Sequence, residues 1–340
     1  RIVADVLMEA GMYTHRHTQH VRYFLLALVA FASTLLTACG GSGFYHNDAA
    51  MEFQDFDYGV PTTSTEINGT LLSWYDSGGK GTPLLLVHGL ASNAGFWRSN
   101  IGPLRDAGFR VIAVDLPGYG KSGKPWSAPY SMEWFAETLE RLLDHLALKK
   151  AVFVGHSMGA QISLTAALRS SDRVAALVLL SPAGIESFKR GEGDWLKNSV
   201  TPEFVISTPQ DRVRANLVSN FYSWRDEFEW MVEERMRMSK ARDFDRFAYA
   251  VSRSVAAMVD GPVWQRLGDI TVPTLIVYGE NDNLIPNPYL HGGRTASVME
   301  WGASRIPSAR LIEIPCAGHM VQLEAASAVN NAIIDFVKKD

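Results

Sequence analysis

Short apolar runs, separated by helical patterns, constrain this chain more than any other feature. The runs are residues 67–75, with a turn at Asn68-Gly69, and residues 83–87, 110–114, 151–154, 176–180, 274–278 and 310–314. Runs of this kind, bounded by turn formers, are typical of strands buried on both faces of a parallel sheet. Helical patterns lie at residues 132–146, 161–169 and 321–337. Strands that alternate with helices predict an α/β fold with a doubly wound, mostly parallel sheet.

The alternation stops between residues 185 and 269, where the sequence has helical patterns and no convincing strand. An insertion of this length between two strands predicts a helical cap that covers an active site. The cap would be added to a core formed by residues 64–184 and 270–340. A helical appendage with no part in catalysis is the alternative. Ahead of the core, residues 39–63 are rich in glycine, aspartate and turn formers, and they predict a flexible tether.

A targeting signal is predicted ahead of the tether. Residues 23–36 are uncharged and largely apolar, follow a basic segment, and are fewer than the ~20 residues that a membrane-spanning helix needs. The sequence LTACG at residues 36–40 resembles the lipobox of bacterial lipoproteins, which are cleaved before a cysteine that then carries lipid. The resemblance implies a signal peptide over residues 1–38 and lipid attachment at Cys39, and so an anchored protein of the bacterial cell envelope.

Gly40, rather than aspartate, follows that cysteine. Among bacterial lipoproteins this implies the outer membrane if the source is Gram-negative. Two alternatives stay open for the segment: a plain signal peptide with an incidental cysteine, and a single anchoring helix.

A candidate nucleophile lies in the sequence GHSMG at residues 155–159, which matches the pattern G-x-S-x-G. The motif directly follows the strand predicted at residues 151–154 and directly precedes a helical pattern. That setting is typical of a nucleophile elbow, a tight strand-to-helix turn that presents its serine. The turn is so tight that side chains at Gly155 and Gly159 would clash with the backbone. The sequence therefore predicts Ser157 as nucleophile, with the backbone N–H of Met158 as one donor to the oxyanion.

Four further segments accompany the elbow in a fixed order. They are PLLLVHGLASNAGFW at residues 83–97, VIAVDLPGYGKSG at 111–123, LIVYGENDNLIP at 275–286 and IPCAGHM at 314–320. From about Ser64 to its end, the chain thereby resembles the cap-bearing α/β-hydrolase superfamily. The resemblance implies a triad in the chain order Ser-Asp-His, and a second oxyanion donor just after the first of these strands.

Asp282 and His319 complete the triad that the resemblance implies. His319 follows a predicted strand in a loop and would act as the base that a serine hydroxyl needs at neutral pH. Asp282 follows the strand at residues 274–278 and would orient the imidazole. Glu280 and Asp260 are its rivals. The backbone N–H of Leu90, just after His88-Gly89, is expected to be the second oxyanion donor.

Several residues near these motifs have other interpretations. Cys316 lies close to His319 and could form a nucleophilic pair with it, although a small buried apolar residue is the simpler interpretation. The resemblance implies a structural role for Asp115, at the end of a strand. The stretch from Asp282 to His319 is longer than is usual for the family, by an insertion around residues 287–297. We expect that insertion to shape one wall of the pocket.

The resulting expectation is a serine hydrolase that forms an acyl-enzyme with a carboxylic ester carrying an apolar acyl or aromatic part. Serine at the elbow argues against the epoxide-hydrolase and haloalkane-dehalogenase branches, which have aspartate there. A carbon–carbon bond hydrolase of ring-cleavage products and a cofactor-free haloperoxidase-like enzyme remain open, because fold alone does not separate them. A non-catalytic binding lipoprotein on a hydrolase fold is a remote alternative.

No cofactor or metal is expected, because the sequence contains no metal-ligand spacing and no phosphate-binding or dinucleotide fingerprint. A net charge of −4 gives no electrostatic case for nucleic acid as a partner. The expected partners are a small ester and a membrane, the latter through lipid at Cys39. The sequence carries no pattern that sets an oligomeric state.

Replacing Cys39 by serine tests the anchor. We expect Cys39→Ser to release the protein from the membrane fraction and to abolish incorporation of labelled palmitate, because the modified thiol is lost. Membrane fractionation and metabolic labelling measure both effects. A wild-type protein that incorporates no palmitate, with a variant that stays membrane-bound, would contradict the lipoprotein hypothesis.

Overall fold

An eight-stranded, mostly parallel sheet forms the centre of the molecule, in the order β1-β2-β4-β3-β5-β6-β7-β8. The structure, a computed structural model, describes residues 49–339. The strands are β1 Thr63–Ile67, β2 Thr70–Asp76, β3 Pro83–Val87, β4 Arg110–Asp115, β5 Ala151–His156, β6 Val174–Leu180, β7 Thr274–Gly279 and β8 Ala309–Ile314. Strands β3 to β8 pair in parallel, whereas β2 is antiparallel to both β1 and β4. The prediction of a doubly wound α/β sheet is confirmed.

Helices flank the sheet and follow most of its strands. They are α1 Arg98–Asp106, α2 Met132–His145, α3 Met158–Arg169, α4 Arg190–Ser199, α5 Pro202–Ile206, α6 Gln210–Val218, α7 Glu229–Met238, α8 Phe244–Asp260, α9 Thr295–Arg305, α10 Val321–Glu324 and α11 Ala326–Lys339. Strand β5 and helix α3, which flank the elbow, are buried along almost their whole length. Such burial on both faces explains why the central strands have continuous apolar runs rather than alternating ones.

Helices α4 to α8 occupy the chain between β6 and β7, where the sequence has no strand pattern. Helix α8 is bonded to the core below it, because the side-chain amide of Gln161 donates to the carbonyls of Met258 and Gly261, both at 2.9 Å. Further along, aromatic side chains of the inserted region pack on each other, with 4.7 Å between the rings of Phe221 and Phe228. The same cluster contains Phe96, Met320 and Leu323, which lie outside the insertion, so both polar and apolar contacts pack the insertion onto the core.

The sequence predicts one strand at residues 67–75 with a turn inside it, and the structure has two strands there. Asn68 and Gly69 have φ of 54° and 74°, and they connect β1 to β2 as a hairpin. Asparagine and glycine tolerate positive φ at these positions, which a two-residue hairpin of this type requires. Strand β1 begins at Thr63, inside the segment predicted to be a tether.

The tether prediction is wrong for residues 49–62, which pack against the domain. Phe53, Phe56 and Tyr58 are each at least 96% buried, and all three belong to the main hydrophobic core. Burying three aromatic side chains outweighs the turn-forming composition that surrounds them. We call residues 49–62 the N-terminal strap. The predicted signal peptide, Cys39 and the rest of the predicted tether up to residue 48 lie outside the described residues.

Among residues 49–339, no helix is long and apolar enough to cross a membrane.

The strap gives a direct stability prediction. We expect Phe53→Ala to lower the free energy of unfolding by about 3 kcal/mol, because it empties a site in the core. Phe204→Ala is the matched control, since Phe204 is 55% exposed and its loss should cost less than about 1 kcal/mol. Urea unfolding of the two variants measures the difference. Equal, small losses would mean that residues 49–62 do not pack as the structure describes.

Candidate active site

Ser157 lies at the turn between β5 and α3 and has an unusual backbone conformation, with φ 53° and ψ −117°. This conformation is strained for a residue with a side chain and persists only where surrounding bonds enforce it. The Ser157 N–H donates to Leu180 O at 3.0 Å, and its carbonyl accepts from the N–H of Ala183 at 3.2 Å. Both bonds go to β6 and the residues just after it. The neighbouring strand therefore holds the serine where the sequence placed the nucleophile.

The two glycines of the motif are required by close backbone contacts. A Cβ on Gly159 would overlap the carbonyl oxygen of Val87 in β3, and a Cβ on Gly155 would overlap the carbonyl oxygen of Gly159. Neither overlap can be relieved by rotating a side chain, because the opposing atoms belong to the backbone. The pattern G-x-S-x-G thus follows from how tightly the start of α3 approaches the end of β3.

Asp282 and His319 form a buried, hydrogen-bonded pair. Nδ1 of His319 donates to Oδ2 of Asp282 at 2.7 Å, and the exposed fractions of the two side chains are 4% and 0%. The other carboxylate oxygen accepts the backbone N–H groups of Leu284 at 2.8 Å and Ile285 at 3.2 Å. With Nδ1 committed to the carboxylate, Nε2 is the ring atom left to accept a proton.

A second histidine supports this arrangement. The Nε2 of His156 donates to the carbonyl oxygen of His319 at 3.0 Å, and the two rings lie 4.9 Å apart. Burial lowers the pKa of His156 to about 3, so this imidazole is neutral at physiological pH. Its bond fixes the backbone of His319. The sequence did not indicate this supporting role, because the partner lies 163 residues further along the chain.

A cavity of about 890 Å³ contains Ser157 and His319 in its wall, together with Leu90. Within the described part of the chain, the backbone N–H groups of Leu90 and Met158 have no acceptor. Met158 is the first residue of α3, where N–H groups lack partners inside the helix. The structure therefore brings the elbow serine, the candidate base and one candidate donor to a single cavity. The second donor, Met158, directly follows that serine.

The rivals of Asp282 lie apart from the pair. Asp260 is exposed at the end of α8 and pairs with the ammonium group of Lys197 at 2.9 Å. Glu280 is also exposed. Among the described residues, neither carboxylate is bonded to His319, whereas Asp282 is.

Cys316 is exposed and has φ 53°, so the interpretation as a buried apolar residue is wrong. It lies in a turn directly after β8, where its side chain is exposed. Asp115, by contrast, is fully buried and accepts from the N–H of Ala94 at 2.7 Å, the N–H of Lys121 at 2.8 Å and the hydroxyl of Tyr58 at 2.9 Å. Those bonds join the loops after β3 and β4, as expected for a structural aspartate.

The insertion around residues 287–297 contributes Asn287, Pro288 and Tyr289 to the cavity wall. It is bonded to the segment that precedes α4. Nδ1 of His291 lies 2.5 Å from Oε1 of Glu186, and its Nε2 lies 3.2 Å from Glu192. Hydrogen bonding to Glu186 raises the pKa of His291. This cluster joins residues about 100 positions apart, and no local pattern in the sequence predicted it.

The cavity wall is mostly apolar where the cap forms it, and it contains a single acidic side chain. Glu186 lines it, and no lysine or arginine does so within residues 49–339. The cap, residues 185–269, supplies most of the apolar side chains, namely Phe188, Leu196, Val200, Val255, Met258, Val259, Pro262 and Trp264. A neutral or apolar ligand therefore fits this cavity better than an anionic one.

Comparisons with known proteins agree with this architecture. Residues 82–326 match the alpha/beta hydrolase fold family. The chain is 32% identical over 287 residues to the dihydrolipoyllysine-residue acetyltransferase component of the acetoin cleaving system of Pseudomonas putida, a match that covers 83% of this chain and 70% of that protein. It is 29% identical to 2-hydroxy-6-oxo-6-phenylhexa-2,4-dienoate hydrolase of Comamonas testosteroni, covering 78% and 91% of the two chains.

A solved structure is also similar. The thermophilic esterase from Thermogutta terrifontis has 26% identity and a TM-score of 0.69, with 82% of this chain and 99% of that chain covered. With the family match spanning most of the chain, the protein belongs to the alpha/beta hydrolase fold family.

Proposed function

We propose that this protein is a serine hydrolase that cleaves neutral carboxylic esters through an acyl-enzyme at Ser157. The observation that carries the proposal is the buried Asp282–His319 pair, which shares one cavity with a serine in the strained elbow conformation. The esterase from Thermogutta terrifontis, similar in fold and sequence, supports the same class of reaction.

In the proposed mechanism, Nε2 of His319 takes the proton of the Ser157 hydroxyl while its oxygen attacks the ester carbonyl. Asp282 stabilises the imidazolium that forms. The N–H groups of Leu90 and Met158 donate to the negative oxygen of the tetrahedral intermediate. His319 then passes its proton to the departing alcohol, which leaves an acyl group on Ser157. Water, giving its proton to His319, attacks that acyl group, and the carboxylic acid and free serine are released.

Carbon–carbon bond hydrolysis is the second candidate, favoured by similarity to the Comamonas testosteroni protein, whose named substrate is a dienoate. The charge of the cavity argues for the neutral ester. Glu186, which is bonded to His291, is the acidic group of the lining, and no lysine or arginine of the described chain lines the cavity to compensate a substrate carboxylate. Burying an unpaired charge is costly, so such substrates should bind poorly.

We further propose that the domain is anchored in the bacterial envelope by lipid at Cys39. The support is the sequence LTACG at residues 36–40 and the apolar segment before it. A surface-anchored esterase would act on esters outside the cytoplasm.

Active-site labelling tests the nucleophile. We expect a fluorophosphonate probe to label the wild-type protein and to leave Ser157→Ala unlabelled, because the phosphonate is captured by the activated serine. Asp282→Asn should lower kcat by about 10³-fold or more, since the imidazole loses its anionic partner. Ser219→Ala, a serine elsewhere in the cavity wall, is the control that keeps labelling. An unlabelled wild type would favour the non-catalytic binding protein.

A matched substrate pair tests the ester class. We expect kcat/KM for a neutral alkyl ester to exceed that for the same ester with a terminal carboxylate on its acyl chain by about tenfold or more, because of the missing countercharge. Glu186→Gln should reduce the ratio of the two kcat/KM values, because it removes the carboxylate that repels the substrate's own carboxylate. Because the two esters release the same alcohol, the rate of alcohol release measures kcat/KM for each of them in wild type and variant. Faster turnover of a ring-cleavage dienoate than of any ester would instead support the carbon–carbon hydrolase.

A further inference from the structure

The loop that follows β3 is bonded to a helix of the cap as well as to the core. A guanidinium N–H of Arg235, in α7, donates to the carbonyl oxygen of Ala91. The preceding residue, Glu234, accepts from the side-chain amide of Asn93 at 2.7 Å. Two consecutive residues of one cap helix therefore hold positions 91 and 93 of the loop that contains Leu90.

The other hydrogen bonds close to Leu90 are local to the loop: the ring of His88 to Gly89 O at 2.7 Å, and the N–H and hydroxyl of Ser92 to Gly89 O and Leu90 O, both at 3.3 Å. Ala91 has φ 53°, a conformation that needs external support in a residue with a side chain. The Leu90 N–H itself has no acceptor within the described residues, so it contributes nothing to holding the loop. The core contributes a bond at the far end, from the N–H of Ala94 to Asp115 at 2.7 Å. The bonds from α7 to Ala91 and Asn93 are therefore the ones that tie this part of the loop to the cap, in addition to its local bonds.

The charges around Glu234 show a built arrangement rather than a chance contact. Glu234 is only 9% exposed, and burial raises the pKa of its carboxyl to about 7. The charged and titratable groups that face it are Arg98 at the start of α1, Arg235 beside it, Asp115 at the end of β4, and Tyr58 in the strap. The guanidinium of Arg98 also stacks on the ring of Trp230 in α7, 3.5 Å from its centre.

We propose that Glu234 and Arg235 are positioning residues for the oxyanion hole, so that the cap helix α7 sets where the Leu90 N–H points. The inference rests on the proposed function, because it concerns the same reacting carbonyl. Neither Glu234 nor Arg235 lines the cavity, so we expect neither side chain to contact the substrate. Their effect reaches the reaction through the loop. An N–H that binds the oxyanion acts chiefly in the transition state, so its misplacement lowers kcat and leaves KM almost unchanged.

The test uses variants that remove the two hydrogen bonds from α7 to the loop without leaving one of the two charges buried alone. Arg235→Met deletes the donor to Ala91, and Glu234→Met removes the carboxylate that accepts from Asn93, with a side chain of similar length in its place. The double variant neutralises both charges together, which avoids a buried carboxylate without its neighbour. Arg235→Lys retains the charge with a single, differently placed ammonium group. The control is the double variant Glu233→Gln/Arg237→Gln, which removes a pair on the same helix that does not contact the loop.

Three quantities are measured on each folded variant: kcat and KM for a neutral ester, and the dissociation constant of an alkyl boronic acid, which forms a tetrahedral adduct with an active serine. We expect the double variant to lose about 10- to 100-fold in kcat and in boronate affinity, with KM within about twofold of wild type. Arg235→Lys should recover part of both losses. The control should match wild type within about twofold in all three.

The proposal is overturned if a folded double variant, confirmed by its thermal unfolding, keeps kcat and boronate affinity within twofold of wild type. A loss confined to KM would also overturn it, because that outcome indicates substrate binding by the cap. If the double variant does not fold, Arg235→Lys decides on the same criteria, with a loss of at least about threefold in kcat required. A wild-type protein that the fluorophosphonate probe does not label would instead contradict the proposed function itself.

Discussion

The close approach of Gly159 to the carbonyl of Val87 is the constraint on which the site depends. No atom fits between the start of α3 and the end of β3, so the helix, the strand and the turn between β5 and α3 form one rigid unit. That unit holds Ser157 in a strained conformation, with the unpaired N–H groups of the helix start beneath it. A reacting carbonyl would meet the nucleophile and a positive helix end together, without any rearrangement of the chain.

Much of the fold was predictable because its determinants are local. A strand buried on both faces needs a continuous apolar run, and β5 and β7 have such runs. The elbow was predictable because steric contact restricts its glycines. Asp282 and His319 could be placed because their segments resemble those of the family and each lies in a loop after a strand, and the structure brings them to bonding distance.

What the sequence did not predict depends on partners far away in the chain. The aromatic residues of the strap lie among turn formers and have no periodicity. Their burial depends on packing against distant parts of the chain, which no local pattern indicates. His291 meets Glu186 from about 100 residues away. Helix α7 has charged residues on most sides, which is typical of a surface helix, yet Glu234 is buried against Asn93. Cys316 was misjudged because free cysteines are usually buried, whereas this one lies in an exposed turn after β8.

The strap changes how far this domain can travel. Met51 donates its N–H to the carbonyl of Arg237 at the end of α7, so the packed domain extends back to about residue 49. If lipid at Cys39 anchors the protein, about ten residues of sequence separate the lipid from the packed domain, rather than the whole of the predicted tether of residues 39–63. Fully extended, that length spans at most about 35 Å, at ~3.5 Å per residue. This reach is shorter than the diameter of roughly 50 Å expected for a compact domain of this size. Lipid at Cys39 would therefore keep the domain close to the membrane surface.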